Sequence, residues 1–205
     1  ELFKLEVPAI IARIKNYQSR SYFISELTKK FLSENKLTEA CHLIREMPLD
    51  RFRTEKLGQI FIQLAKTGNL QVINENLPYV PAENHPFILF GVAIGCVNVN
   101  WDSVAAVLPR LTANLKLSLF HQMKSYPQCA QLFSQTITNL VEQEKIEEAV
   151  FLTQACTPEE GENLRFMIGK TLIELSKPHL LGPVYSKLTS RHEELQLLQI
   201  TANQM

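Results

Sequence analysis

Residues 33–47 read SENKLTEACHLIREM, and residues 142–156 read EQEKIEEAVFLTQAC. Aligned without gaps, the two stretches share a Lys, a Glu, an Ala and a Leu at the same places, and Leu37 is matched by Ile146. Each stretch has an apolar residue directly after a short polar turn and a small residue three positions later. Such internal sequence similarity is typical of a chain built from repeated structural units.

The apolar residue after the turn serves as a marker for further units. Besides Leu37 and Ile146, the markers are Leu70, Trp101 and Leu180, which gives a period near 34 residues. After the first four markers, the positions three and seven residues later are apolar or small, with Thr153 as the departure: Ala40, Ile73, Val104, Ala149, Ile44, Leu77 and Leu108. This regularity predicts five units that share one continuous core.

Each unit has the pattern of a pair of helices. Apolar residues recur at steps of three and four over most of the chain, as in Ile24, Leu27 and Phe31. Capping boxes at 157–160, 190–193 and 125–128 predict helix starts, and Gly68 predicts a helix end with a left-handed residue. Long alternation with period two is missing. We therefore predict an all-α fold.

We predict one domain over residues 1–205, an α-α superhelix (solenoid) of about five stacked helical hairpins with capping helices. The hairpins are predicted at 22–50, 52–80, 84–111, 127–156 and 158–188. An additional short helix at 113–124 accounts for the long step between Trp101 and Ile146. Terminal caps are predicted at 8–18 and 190–203.

The stretch NKLTEACHLIREM resembles the second helix of a tetratricopeptide or pentatricopeptide unit. The resemblance covers about residues 22–190 and is clearest in the first and fourth units. The Trp, Leu-Gly and Tyr pattern of a tetratricopeptide first helix is missing, and the variable period also resembles HEAT-like superhelices. The resemblance implies a structural class, with no family assigned and no binding residue carried over.

The amino-acid composition of the chain disfavours several classes of function. The 21 basic and 21 acidic side chains give zero net charge, which disfavours a general nucleic-acid binder. The longest apolar run, residues 87–97, is too short for a membrane span. The four cysteines form no CxxC pair and suit small buried side chains in a reducing, cytoplasmic setting. Because the chain begins with Glu1, we expect a piece of a longer or processed protein, in which a targeting signal could have been lost.

Three short motifs resemble functional sites, but each lacks a residue or a geometry that such a site requires. Gly169-Lys170-Thr171 lacks the glycine of a phosphate loop, because position 164 is Leu. The stretch 191–195 lacks a second zinc-binding His, because position 196 is Gln. Cys41 and His42 would project about 100° apart on a helix. We therefore expect no enzyme activity, no cofactor and no metal.

Charge is distributed unevenly along the chain. Residues 57–141 hold only 7 charged side chains, and this charge-poor middle is either the most enclosed part of the stack or an apolar groove for a partner. Arg51, Arg53 and Lys56 cluster where the first two units join. They form either a solvated rim or a partner-binding surface.

The predicted function is a non-enzymatic scaffold that binds a segment of another protein in the superhelical groove, with Arg51, Arg53 and Lys56 as the candidate contacts. Two alternatives stay open. One is RNA binding through helical repeats, which requires base-reading polar side chains at matching places. The other is a helical accessory domain of a larger enzyme or of a secreted or regulatory protein.

Overall fold

A computed structural model describes residues 2–47 and 51–204. The described residues are all-helical, with thirteen α-helices, five short 3-10 helices and no strand. The chain divides into two compact units, Glu1–Leu111 and Thr112–Met205. The prediction of an all-α fold is confirmed.

The first unit contains seven α-helices. They are α1 (Leu2–Arg13), α2 (Tyr17–Ser33), α3 (Leu37–Arg45), α4 (Arg51–Lys66), α5 (Leu70–Asn76), α6 (His85–Cys96) and α7 (Trp101–Val107). Helices α2 and α3 pack together, α3 packs on α4, and α4 packs on α5 and most extensively on α6, which in turn packs on α7. Short 3-10 helices follow α5 (Leu77–Tyr79) and α7 (Leu108–Arg110).

The second unit contains six α-helices. They are α8 (Ala113–Met123), α9 (Pro127–Glu142), α10 (Ile146–Leu152), α11 (Pro158–Glu174), α12 (Gly182–Tyr185) and α13 (Arg191–Gln204). Helix α10 packs against α8, α9 and α12, and α11 packs against α12 and α13. A part-buried ion pair joins α8 to α10, since the Nζ of the buried Lys116 lies 2.6 Å from Oε1 of the half-buried Glu148.

Four turns between paired helices share one backbone geometry. Each contains a residue in the left-handed region: Asn35 (φ 57°), Gly68 (φ 77°), Glu144 (φ 60°) and Ser176 (φ 56°). The N–H of the next residue returns to a carbonyl five positions earlier, at 2.8 Å for Lys36 to Phe31 and 2.8 Å for Lys145 to Leu140. This is the bonding that closes a helix through a left-handed residue, and it explains why the polar turn recurs ahead of the marker.

The marker residues behave largely as the repeat predicts. Leu37, Leu70, Trp101 and Ile146 are each the first residue of the helix after the turn. Every residue three and seven positions after these four is buried: Ala40, Ile73, Val104, Ala149, Ile44, Leu77, Leu108 and Thr153. Thr153, the polar departure, satisfies its hydroxyl by donating to the Val150 carbonyl at 2.7 Å and accepting from Arg165 Nη1 at 2.9 Å.

The structure differs from the sequence prediction at both ends. The predicted cap at 8–18 spans a break, because Asn16 accepts the N–H of Ser19 at 3.0 Å and starts a new helix at Tyr17. In the last hairpin the left-handed residue of the turn is Ser176, so Pro178 rather than Leu180 occupies the marker position. Leu180 is the last residue of a 3-10 helix. Pro178 and Pro183 stand in the first turns of this 3-10 helix and of α12, where proline is tolerated, and α12 itself is only four residues long.

The three predicted capping boxes have different outcomes. Thr157 and Glu160 form the complete reciprocal box at the start of α11. At α9 the N-cap is Tyr126 rather than Ser125, so the predicted box at 125–128 is wrong. At α13 the N–H of Glu193 donates to Ser190 Oγ at 3.4 Å, whereas the N–H of Ser190 is bonded to Glu162 instead of Glu193.

Candidate basic–aromatic site

The three predicted contact residues lie in the first two turns of α4. Arg51 is the first residue of this helix, and its side chain lies outside the described residues. Lys56 is half-buried, and Arg53 is only 9% exposed. The two described side chains of the predicted rim, Arg53 and Lys56, therefore differ in their solvent exposure.

Arg53 fastens the end of the preceding hairpin. Its Nη1 donates to the carbonyl of Met47 at 3.0 Å, and Met47 itself is 3% exposed. A buried guanidinium is stable only when its donors are satisfied, so this bond fixes both the side chain and the chain segment that it reaches. Arg53 thus holds α4 against the end of the α2–α3 hairpin, and this is its main structural role.

Two arginines lie close to the ring of Tyr79, which belongs to the 3-10 helix after α5. The guanidinium carbon of Arg45 is 3.7 Å from the centre of the Tyr79 ring, and that of Arg53 is 5.8 Å away. Arg45 also donates a hydrogen bond from Nη2 to the Tyr79 hydroxyl. Both distances fall within the range of cation–π attraction, so the two side chains order the ring, which stays 37% exposed.

Lys56 pairs with a second exposed ring on the same helix. Its Nζ lies 5.4 Å from the centre of the Phe52 ring and 3.4 Å from Gln59 Oε1. Phe52 is 39% exposed. We name Arg45, Phe52, Arg53, Lys56 and Tyr79 the basic–aromatic cluster. The name covers two groups of contacts, Arg45 and Arg53 with Tyr79 and Lys56 with Phe52, which are linked by the adjacent positions 52 and 53 of α4.

Sequence reasoning found Arg53 and Lys56 and missed Phe52 of the same helix, as well as Arg45 and Tyr79. These two are 34 residues apart, one repeat period, at the ends of the second helices of successive hairpins. The period could have indicated that they lie side by side, because stacked repeats bring equivalent positions together. The amino-acid types of Arg45 and Tyr79 alone did not indicate this contact.

The motifs rejected from the sequence lie in places that suit a structural role. Gly169, Lys170 and Thr171 lie inside α11, and a Cβ on Gly169 would come within 2.7 Å of Leu197. Cys41 is buried, which raises the pKa of its thiol to about 12, whereas its neighbour His42 is exposed. Within residues 2–47 and 51–204, no group of three or more His, Cys, Asp or Glu side chains could hold a metal ion.

Comparison with known proteins gives no match: no protein-family model, no curated protein and no solved structure is similar enough to the chain to be reported. In the described part of the chain, every helix is too short or too polar to cross a lipid bilayer.

Proposed function

We propose that the protein is a binding module for another protein, and that the basic–aromatic cluster receives an acidic segment of that partner with apolar anchor residues. The observation that carries this proposal is the Arg45–Tyr79 stack, which presents an ordered, partly exposed aromatic ring beside cationic groups. Arginine and tyrosine are enriched among the residues that dominate binding energy at protein interfaces.

The members of the cluster have different proposed roles. Tyr79 and Phe52 offer apolar surface to the partner's anchors, and Lys56 and Arg45 meet its carboxylates. Arg53 acts mainly by positioning Tyr79, since its guanidinium is bonded to the Met47 carbonyl. Arg51 stays in the proposal as a contact at the start of α4. Such charges chiefly raise the association rate, while the rings hold the complex.

We also propose the finer architecture predicted from the sequence, an α-α superhelix of stacked hairpins. The packing of successive hairpins within each unit supports it. A compact domain of this length would have a radius of gyration of about 17 Å, and a stacked array about 19–22 Å. Small-angle scattering that gave the compact value would count against the superhelix.

The binding proposal is tested with variants that leave Arg53 intact. Wild type, Tyr79→Ser and Lys56→Glu are used as baits in quantitative affinity capture, followed by kinetic measurement on the purified partner. We expect Tyr79→Ser to weaken binding about tenfold or more, and Lys56→Glu to slow association several-fold at low salt and less at high salt.

The matched control is Lys66→Glu, which makes the same charge change at an exposed position in the last turn of α4. This control should bind as wild type does. If a partner binds all variants equally, or if the chain captures single-stranded RNA in an anisotropy assay with the same sensitivity to Tyr79→Ser, the proposed protein-binding role is wrong.

A further inference from the structure

The segment 74–79, which carries Tyr79, is contacted by arginines from two other hairpins of the first unit. Arg45, at the end of α3, stacks on the ring of Tyr79 and donates to its hydroxyl. Arg110, the last residue of the 3-10 helix after α7, donates from Nη1 to Asn74 Oδ1 at 3.0 Å. The two contacts join residues 34 and 36 positions apart, about one repeat period. Arginines of the preceding and the following hairpin therefore both reach the second helix of the middle hairpin.

The guanidinium of Arg110 is oriented by Asn74 and keeps most of its donors for a ligand. The residue is exposed, and in the part of the chain that the structure describes its hydrogen bond is the one to Asn74. A guanidinium has five N–H donors in a rigid planar fork, so about four of them stay available. That fork matches the two oxygens of a carboxylate. Arg110 is therefore held in place for an acidic side chain, whereas the buried Arg53 is used within the fold.

Positive charge is concentrated at the ends of these second helices. Helix α3 has Glu39 in its first turn and Arg45 in its last turn. Helix α7 has Asp102 in its first turn, and the 3-10 helix that continues it ends with Arg110. At about 1.5 Å per residue, each carboxylate starts roughly 9–12 Å along the axis from the arginine of its own helix. This order of charges complements the helix dipole and leaves the arginines at the end where Tyr79 lies.

Two exposed carboxylates belong to the same elements, and neither is paired with these arginines. Glu75 accepts a hydrogen bond from Gln71 Nε2 at 2.9 Å, along its own helix. Glu46 follows Arg45 directly, so its side chain projects about 100° away from that of Arg45 on a helical backbone. Among the described residues no ion pair joins either carboxylate to Arg45 or Arg110. Both guanidinium groups therefore keep their charge for a partner.

We propose that Arg110 is a second contact point for the acidic partner segment, one hairpin further along than the basic–aromatic cluster. In this arrangement one acidic residue of the partner meets Arg45, an apolar residue packs on Tyr79 and the exposed Pro78, and a second acidic residue meets Arg110. The inference rests on the proposed function and adds the sequence pattern of the partner. Asn74 acts as a positioning residue, because its side chain orients the guanidinium of Arg110.

The spacing of the hairpins sets the spacing of the two acidic residues. Packed helices lie about 8–10 Å apart, so two steps from α3 to α7 cover roughly 16–20 Å. An extended chain rises about 3.3 Å per residue, which places the acidic residues about five or six positions apart. A helical segment with the same separation in sequence would span only about 8–9 Å. The partner segment is therefore extended where it crosses Tyr79.

The probes are two fluorescent peptides of identical composition, titrated with the full chain by anisotropy at low salt. The wide peptide has two glutamates about five positions apart with a phenylalanine midway, and the narrow peptide has the glutamates adjacent. We expect a Kd of about 100 μM for the wide peptide and binding about threefold to tenfold weaker for the narrow one. Arg110→Glu should remove this difference, because it weakens the wide peptide about threefold to tenfold and the narrow one less than about twofold.

Three further variants separate the roles of charge, geometry and the ring. Asn74→Ala keeps every charge and should weaken the wide peptide about twofold, since it releases the Arg110 side chain. Tyr79→Ser should weaken both peptides. The matched control is Arg13→Glu, which makes the same charge change at an exposed position in the last turn of α1 and should bind as wild type does. Circular dichroism confirms that each variant is folded.

The failure of this inference can be distinguished from the failure of the proposed function. If Tyr79→Ser weakens the wide peptide and Arg110→Glu does not, Arg110 is not a contact and the inference is overturned, while the protein-binding role stands. If Arg13→Glu weakens binding as much as Arg110→Glu does, net charge is responsible and the inference is again overturned. If neither peptide binds at about 1 mM, the proposed partner pattern is wrong, and affinity capture decides the binding role separately.

Discussion

Glu162 of α11 caps the amino terminus of α13 through Ser190: its Oε1 accepts the Ser190 N–H at 2.7 Å and also the Thr189 N–H at 2.6 Å. Its Oε2 accepts a hydrogen bond from Arg165 Nη2 at 2.6 Å. A carboxylate one helix away thus accepts the N-cap N–H, which in a complete capping box is accepted by the N3 side chain, here Glu193. Burial alone would raise the pKa of Glu162, but these hydrogen bonds outweigh it and lower the pKa to about 2.

The first prediction concerns the removal of this cap. Glu162→Ala should lower the free energy of unfolding by about 2–4 kcal/mol, because it leaves the Thr189 and Ser190 N–H groups and the half-buried Arg165 guanidinium without their acceptor. The folded-state pKa is lowered, so the contribution is present above pH 4.5 and is lost as the pH falls from 4.5 toward 2. Urea denaturation across that range should show the wild type losing its advantage over Glu162→Ala. Glu174→Ala, which removes an exposed carboxylate at the other end of α11, should cost less than about 0.5 kcal/mol.

The second prediction concerns Glu193, whose carboxyl faces Glu162. Burial raises the pKa of Glu193, and the negative charge of Glu162 raises it further. Among the described residues no donor reaches its buried Oε2. A raised folded-state pKa gives stability below the ordinary carboxyl pKa and loses it as the pH rises through the folded value, so ionised Glu193 is unfavourable at neutral pH.

Glu193→Gln should therefore raise the free energy of unfolding at pH 7 by about 0.5–1.5 kcal/mol, since its amide can donate to Glu162. The gain should shrink toward pH 4, where Glu193 itself becomes protonated. Glu194→Gln makes the same charge change at an exposed neighbour and should be nearly neutral. Equal effects from both substitutions would show that net charge, rather than the facing carboxyls, is responsible.

Much of the fold could be predicted because the features that define each hairpin depend on residues close together in the sequence. The polar turn, the marker after it and the buried positions at three and seven are all readable from Leu37 and Ile146, since each depends on one hairpin. The Leu180 marker was wrong because the left-handed residue of that turn is Ser176, which puts Pro178 at the marker position. The stack of Arg45 on Tyr79 and the cap from Glu162 to Ser190 join residues of different elements, and only tertiary packing brings them together.

The third prediction tests the marker positions. Leu37 and Ile146 are 7% and 3% exposed, so Leu37→Ala and Ile146→Ala should each lower the free energy of unfolding by about 2–5 kcal/mol. Leu195→Ala on α13 removes the same atoms from a side chain that is 56% exposed, and it should cost under about 1 kcal/mol. Urea denaturation of the three variants gives the comparison. Losses below about 0.5 kcal/mol at both marker positions would contradict the repeat register.

The last prediction contrasts two glycines of the first unit. Gly95 lies where α6 crosses α4, and a Cβ there would come 2.9 Å from Ala65 Cβ and 3.0 Å from the Ile62 carbonyl oxygen. One of these neighbours is backbone, which cannot move aside without disturbing α4. Gly95→Ala should therefore destabilise the protein by about 1–3 kcal/mol, as overpacking of a well-filled interior does.

Gly58, on the other partner of the same crossing, is the matched control. A Cβ there would meet only Ile88 side-chain atoms, the nearest at 3.5 Å, which is ordinary contact. Since alanine is favoured over glycine inside a helix, Gly58→Ala should be neutral or stabilising by up to about 1 kcal/mol. Thermal and urea denaturation of both variants measure the difference. Opposite signs at the two positions would establish that the close approach of α4 and α6 requires a glycine at 95, because both substitutions add the same methyl group to a helical backbone.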